Sequence, residues 1–257
     1  MSADTNPLIS VIVPTYNEER FLPGLLLSLQ AQTWKDFEVI VADDNSTDRT
    51  SAIAKAFNSE FLVNKRIGEF PSRNAAARTA RGSILVFTGA DVIMPKNILS
   101  RVESGFRKDP RVVGLWCPTI PYDAPLWARL EFTAWSTFNL IWYFITREAH
   151  ASTAFFAVRK DIFALTEGFA DEVHADSTMS RELSKRFRVR PILRASILVS
   201  GRRTKSGAAE FNRHHVVMVA DHFFWFLRSS HWMREEKRNR MGIHSRSGRR
   251  PEKTLRS

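Results

Sequence analysis

The 257-residue sequence contains a single cysteine, Cys117. An intrachain disulfide is therefore excluded, and no Cys or His spacing matches a zinc site. Cys117 is expected as a small core residue rather than a nucleophile. The opening MSADTNPLIS lacks a charged stretch leading into an apolar core, so no secretory signal is read and the chain is expected to stay in the cytoplasm. No internal repeat is evident. The charge-free stretch FTAWSTFNLIWYFIT, Phe132 to Thr146, is fifteen residues long, short of the roughly twenty needed to span a bilayer. No glycine-rich, lysine-bearing phosphate loop follows the first apolar run, which leaves a nucleotidyltransferase on a parallel sheet without support.

Positive charge is in excess, at a formal +11. It is uneven: Arg228 to Ser257 holds ten Lys/Arg against three Glu, a net +7. The last stretch, GIHSRSGRRPEKTLRS, has no periodic apolar face, so residues 238–257 read as a disordered basic tail attracted to phosphates of lipid head groups or nucleic acid. A specific nucleic-acid partner is not expected, because the aromatic segments lack interleaved basic residues.

The first ~115 residues alternate short apolar runs with amphipathic stretches, the βαβ pattern of a parallel sheet covered by helices. Strands are predicted at Ile9 to Val13, Phe37 to Ala42, Phe61 to Asn64, Ser83 to Phe87 and near Val112 to Trp116. Between them helices fit Glu18 to Gln30, Asp48 to Phe57 capped by Ser46 or Thr47, Asn74 to Arg81 capped by Ser72, and a segment from Pro95 through Phe106. Beyond residue 120, Phe132 to Thr146 reads equally as a buried helix or as one lying at a membrane surface, with Trp127, Trp135, Trp142 and Tyr143 suited to the interface. Val216 to Trp232 is a second aromatic segment and runs into the basic tail. Apolar anchor plus adjacent charge is the usual pairing for reversible membrane attachment.

In an open parallel sheet, ligands bind beyond the carboxyl ends of the strands. PTYNEE follows the first strand there, and Asp43, Asp44, Asn45, Ser46, Thr47 and Asp48 follow the second. Asp43 and Asp44 repel each other unless donors or a ligand are present, and a turn with a helix cap explains the pair as well as a binding loop does. The motifs PTYNEE, VADDNSTDRT, SRNAAARTARGSILVF and GADVIMP resemble, in order and spacing, the family-two glycosyltransferases with the A-type fold, over Ile9 to about Leu99. The resemblance implies an α/β fold: one Rossmann-like A-type domain, a mostly parallel sheet flanked by helices, with aromatic amphipathic helices toward the C-terminal half. It implies that Pro14, Thr15, Tyr16 and Glu18 in the first loop, with Asp43 and Asp44 in the second, hold the base and ribose of a nucleotide sugar. It also implies that Arg73 reaches the diphosphate, where a guanidinium suits phosphate oxygens.

Relatives usually carry Asp-x-Asp at the end of the fourth strand, whereas this chain has Gly89-Ala90-Asp91. Asp91 is the expected ligand of Mg²⁺ or Mn²⁺, with waters and diphosphate oxygens completing the octahedron, and Ala90 lies beside it in the donor site. GFADEVHADSTMSREL, Gly168 to Leu183, resembles the family's acceptor-side stretch, with Ala175-Asp176 where Glu-Asp is usual. Asp176 is the candidate general base and Glu172 and Asp171 are substitutes. As a residue by itself, without the upstream motifs, Asp176 reads better as a helix N-cap before Ser177 to Arg188. Ser200-Gly201-Arg202-Arg203 follows an apolar strand expected over Ile192 to Val199; Arg202 and Arg203 are assigned to phosphate contact, with Gly201 letting backbone approach a ligand.

The reading is an inverting, metal-dependent glycosyltransferase using a UDP- or GDP-sugar on an unidentified acceptor, a polyprenyl phosphate or glycolipid at the membrane face being one candidate. Residues 1–115 would hold the donor and 116–237 the acceptor. The alternative is a silent nucleotide-sugar-binding or scaffold protein, motivated by Gly89 and Ala175.

Overall fold

The first apolar run, Ile9–Thr15 (β1), is central because nearly all of it is buried, with Ile9, Val11 and Val13 on one face and Ile12 on the other. Apolar side chains on both faces are what a strand covered by helices on both sides requires. The computed structural model describes residues 6–172 and 174–206. In chain order the elements after β1 are α1 (Leu22–Gln30), β2 (Phe37–Asp43), α2 (Thr50–Ala56), β3 (Glu60–Val63), α3 (Glu69–Thr79), β4 (Ile84–Thr88) and β5 (Val92–Ile93). They continue with α4 (Ile98–Lys108), β6 (Val112–Trp116), β7 (Thr119–Pro121), α5 (Leu126–Thr146), β8 (Phe155–Arg159), α6 (Lys160–Ala164), α7 (Ala175–Arg186), β9 (Arg188–Pro191) and β10 (Ile197–Val199).

A seven-stranded sheet has the order β3-β2-β1-β4-β8-β6-β9, in which β8 runs antiparallel to both neighbours and the other pairs are parallel. A second, three-stranded sheet, β5-β10-β7, stands beside it. One face of the large sheet is filled by Leu22, Leu25 and Leu29 of α1 and Ile98, Val102 and Phe106 of α4. The opposite face carries Ala76 and Ala77 of α3, Phe163 of α6, and Met179 and Leu183 of α7. Cys117 is buried in the first cluster as expected, and burial pushes its thiol up to about 12.

Several predicted boundaries move for identifiable reasons. α1 begins at Leu22, not Glu18: Asn17 takes a positive φ of 54°, and the Glu18 carbonyl accepts from Phe21 and Leu22, so Glu18 is left in the loop. α3 begins at Glu69, and Ser72 lies inside it rather than capping it, because the Asp44 carboxylate accepts from the Ile67 and Gly68 amides and anchors the turn that starts the helix. Ser46 and Thr47 do not cap α2. Asp48 accepts from the Thr50 amide at 2.9 Å instead. The strand expected over Ile192 to Val199 shortens to β10: β9 ends at Pro191, Arg194 takes φ 61°, and the chain crosses to the second sheet only at Ile197.

The charge-free segment lies within α5, a helix of 21 residues after Pro125. Ala128, Asn139, Trp142 and Tyr143 are its buried positions. Leu126 (71% exposed), Leu130, Ile141, Phe144 and Ile145 (73%) project into solvent. No helix among the described residues is long and apolar enough to cross a membrane. The second aromatic segment, Val216 to Trp232, and the basic tail lie outside the described residues.

Candidate functional site

The loops after β1 and β2 are stitched to each other where those strands end. The Asn17 amide donates to Ser46 Oγ and the Thr47 amide to Asn17 Oδ1, both at 2.9 Å; the Glu18 amide donates to Thr50 Oγ1 and the Glu19 amide to Asp48 Oδ2. Partial desolvation works against the Asp48 charge, yet the donors from Thr50 and Glu19 outweigh it and hold this carboxyl below its usual value. Asp43 accepts from Thr15 Oγ1 at 2.9 Å and from the Ser46 amide, and Asp44 from Ile67 and Gly68 at 2.6 and 3.0 Å. Both members of the Asp43-Asp44 pair are thus compensated by donors. Pro14 pairs with Ala42 in the β1–β2 register. Tyr16 is exposed, with the Arg66 guanidinium 4.6 Å from its ring centroid.

The end of β4 brings Gly89, buried Ala90 and Asp91 to the same edge. Arg202 meets them from beyond β10. Its Nη1 and Nη2 donate to Glu18 at 2.7 and 2.8 Å, its Nε lies 3.0 Å from Asp91 Oδ2, and its guanidinium carbon is 4.9 Å from the Phe21 centroid. Burial opposes this charge, but Glu18 and Asp91, with Glu69 further away, raise the Arg202 pKa above its ordinary value. The loop bearing Arg202 is seated by Asp123, which accepts from Ser200 Oγ at 3.2 Å and from the Gly201 amide. A Cβ on Gly201 would lie 2.6 Å from Ala124 Cβ, so the glycine permits close approach to the protein's own chain rather than to a ligand. Tyr122 borders this loop; desolvation raises its pKa, and the Asp123 and Asp91 charges add to the shift.

Arg73 is placed differently from the expectation. It is 1% exposed, its Nη1 donates to the Thr88 carbonyl at 2.9 Å and its Nη2 pairs with Glu69 at 2.8 Å. Desolvation lowers its pKa while Glu69, Asp176 and Asp91 support its charge. It therefore underpins the end of β4 from below instead of reaching a diphosphate in the cleft. Asn74 next to it clamps the Phe169 backbone through both amide atoms, at 2.8 and 2.9 Å. This ties α3 to the stretch leading into α7.

Asp176 is in the first turn of α7 and faces inward. Its Oδ2 accepts from the Thr153 amide at 2.8 Å and Thr153 Oγ1 at 3.2 Å, and its Oδ1 from the Ser177 amide. It is not the N-cap; His174 holds that position. Ser177, Ser180 and Ser184 continue the attachment of α7 to the 149–151 stretch, through His150, Ala151 and Ala149. Asp171 and Glu172 are exposed in the preceding loop. The Arg203 side chain lies outside the described residues. The sequence reading missed Tyr122, Asp123 and Thr153, which carry no motif: Tyr122 and Asp123 are brought in where β7 pairs with β10, and Thr153 by β8.

Among the described residues no group of three or more His, Cys, Asp or Glu could hold a metal, and the two carboxylates at this edge, Glu18 and Asp91, are both held by Arg202. Asp91 fits an ion only where other oxygens complete its shell, as the phosphates of a nucleotide would.

The carboxylates Glu18, Asp43, Asp44 and Asp91 thus gather beyond β1, β2 and β4 of a mixed sheet, with Arg202 from the loop after β10 on two of them. A family model described as glycosyl transferase family 2 matches residues 10–166, more than half of the chain, and the chain belongs to that family. An uncharacterized glycosyltransferase YfnE of Bacillus subtilis (strain 168) is 41% identical over 98 residues, covering 36% of this chain and 25% of that protein. Validoxylamine A glucosyltransferase of Streptomyces hygroscopicus subsp. limoneus is 32% identical over 120 residues, covering 43% of this chain and 26% of that protein. The match thus spans about a quarter of each curated relative. Among solved structures, a mannosyltransferase from Pyrobaculum calidifontis in complex with GDP-Man and Mn²⁺ superposes with a TM-score of 0.58 at 23% identity, covering 77% of this chain and 58% of that one. S. aureus TarS in complex with UDP gives 0.60 at 20% identity, covering 75% and 60%. At these identities the likeness to solved structures is one of fold.

Proposed function

We propose that the chain transfers a sugar, with inversion, from a nucleotide-diphosphate donor to an acceptor hydroxyl. The observation that carries the reading is the meeting of Glu18, Asp91 and Arg202 at one sheet edge. The first-loop residues Pro14, Thr15 and Tyr16, with Asp43 and Asp44, form the base and ribose wall beside Ala90. The GDP-Man and UDP complexes of the two similar folds support a UDP- or GDP-sugar as donor.

Asp176 takes the proton from the acceptor hydroxyl as it attacks the anomeric carbon opposite the departing diphosphate, and the three donors around its carboxylate fix its direction. Arg202 meets charge accumulating on the leaving group. Asp91 would hold Mg²⁺ or Mn²⁺, which when bound supplies further neutralisation of the diphosphate; the Mn²⁺ of the mannosyltransferase complex supports this ligand. Residues 1–115 supply the donor side and 116–237 the acceptor side, with 238–257 as a basic extension. The exposed apolar row of α5, flanked by Arg129 and Arg147, supports contact with the inner face of a membrane carrying a lipid-linked acceptor.

Asp176→Asn tests the base. Nucleotide affinity is expected to stay the same while sugar transfer falls by about two to four powers of ten; a fall in nucleotide affinity instead would place Asp176 on the donor side. A silent nucleotide-sugar-binding protein is the second reading, favoured by Asp91 being already neutralised by Arg202. Donor binding with no turnover in the unaltered chain would establish it.

A further inference from the structure

Arg202 spends all three of its guanidinium nitrogens on two carboxylates that come from different loops: Nη1 and Nη2 on Glu18, Nε on Asp91. Glu18 is 9% exposed and Asp91 is largely covered, so the two anions share a partly desolvated edge where their repulsion is poorly screened. Gly89 leaves Asp91 as the single carboxylate of its motif, and its carboxylate fills the room beside that glycine: a Cβ at position 89 would lie 2.9 Å from Asp91 Oδ1. The oxygen Oδ2 is the one Arg202 holds.

The geometry points to Arg202 as a resident cation of the donor site, occupying Asp91 and Glu18 until a divalent ion and a nucleotide diphosphate arrive together. This rests on the donor-site assignment above. An ion arriving alone must take Asp91 Oδ2 from the Nε of a guanidinium whose fork stays fixed on Glu18, and it leaves that guanidinium with one partner fewer. A nucleotide diphosphate arriving with the ion offers Arg202 phosphate oxygens of the same geometry, so the guanidinium exchanges one anion for another without loss. The backbone under Arg202 stays seated by Asp123 and by the Gly201–Ala124 contact, so the exchange is a side-chain motion. Ion and nucleotide therefore raise each other's affinity by the same factor, as linkage requires. With glycine at position 89 and the arginine on Asp91, nucleotide-free ion binding is suppressed and joint binding is kept.

The test uses the full chain and Mn²⁺ alone, followed by electron paramagnetic resonance of the free ion. Arg202→Met removes the competing cation at nearly constant length, and nucleotide-free Mn²⁺ affinity is expected to rise about tenfold. An affinity equal to or below that of the unaltered chain would overturn the proposal. The double variant Asp91→Asn with Arg202→Met should lose that gain, and its persistence would equally overturn it, because the ion would then be bound elsewhere. Arg202→Lys keeps a positive charge but not the fork and serves if the methionine variant does not fold: a smaller rise is expected, and none contradicts the account. In the unaltered chain, UDP or GDP must raise Mn²⁺ affinity, and Arg202→Met must diminish that coupling. The donor-site assignment fails separately, if neither nucleotide binds the unaltered chain in the presence of Mn²⁺.

Discussion

Glu38 is a buried carboxylate near the start of β2, paired with Ser10 of β1, where the β pattern alone calls for an apolar side chain. Its Oε1 accepts from Ser10 Oγ at 2.5 Å and from the Arg81 amide at 2.7 Å, its Oε2 accepts from Arg81 Nε at 2.8 Å, and Arg81 also bridges Glu60. Burial would raise its pKa, but these donors prevail and hold it below the ordinary 4.5. A depressed carboxylate stabilises the fold fully above its unfolded pKa, and the contribution is lost as pH falls through the folded value. Glu38→Gln should therefore cost about 1.5–3 kcal/mol near neutral pH, the scale of a charge-assisted hydrogen bond. The difference from the unaltered chain should shrink below the ordinary 4.5, as urea unfolding at two pH values would reveal. At this scale Glu18, Asp44, Asp91 and Asp176 were legible as polar residues placed after strands or before a helix. What they touch was not. Asp44 serves the Ile67 and Gly68 amides, and Arg73 is sealed under Thr88, because partners distant in sequence decide hydrogen bonds.

Among elements, α5 departs furthest from an ordinary surface helix. Its buried positions are few, and the exposed Leu126, Leu130, Ile141, Phe144 and Ile145 recur at helical spacing along it. The apolar composition was plain in the sequence; which residues turn outward was not, because a helix that is apolar nearly all round leaves its orientation to the sheet it packs against. Replacing Ile141 and Ile145 with Glu should change folding stability by no more than about 0.5 kcal/mol per site, as for other exposed positions. The same change should release the protein from vesicles containing anionic lipid in a co-sedimentation assay. Unaltered vesicle binding would remove α5 from the proposed membrane contact. The start of α1 and the β9–β10 break were less legible: Asn17 and Arg194 at positive φ set them, and although asparagine favours that region, arginine does not announce it.

At the scale of the molecule, the parallel first half could be read from its alternation of apolar runs and amphipathic helices. The insertion of β8 between β4 and β6, antiparallel to both, could not. That insertion matters for the chemistry. It makes the stretches before and after residue 115 share one sheet and sets Thr153, just ahead of β8, where it can hold Asp176. The small sheet has a similar consequence: β10 lies against β5, so the Ser200 amide bonds to the Asp91 carbonyl at 2.9 Å and Arg202 is delivered to the carboxylate two elements away in space but far along the chain.

The central claim, a nucleotide-diphosphate site built on Glu18, Asp91 and Arg202, is tested most directly by calorimetric titration of the full chain with UDP and with GDP, each with and without Mn²⁺. The account predicts that one of the two nucleotides binds and that Mn²⁺ strengthens its binding. Absence of binding by either nucleotide to the folded protein, with Mn²⁺ present, would contradict it.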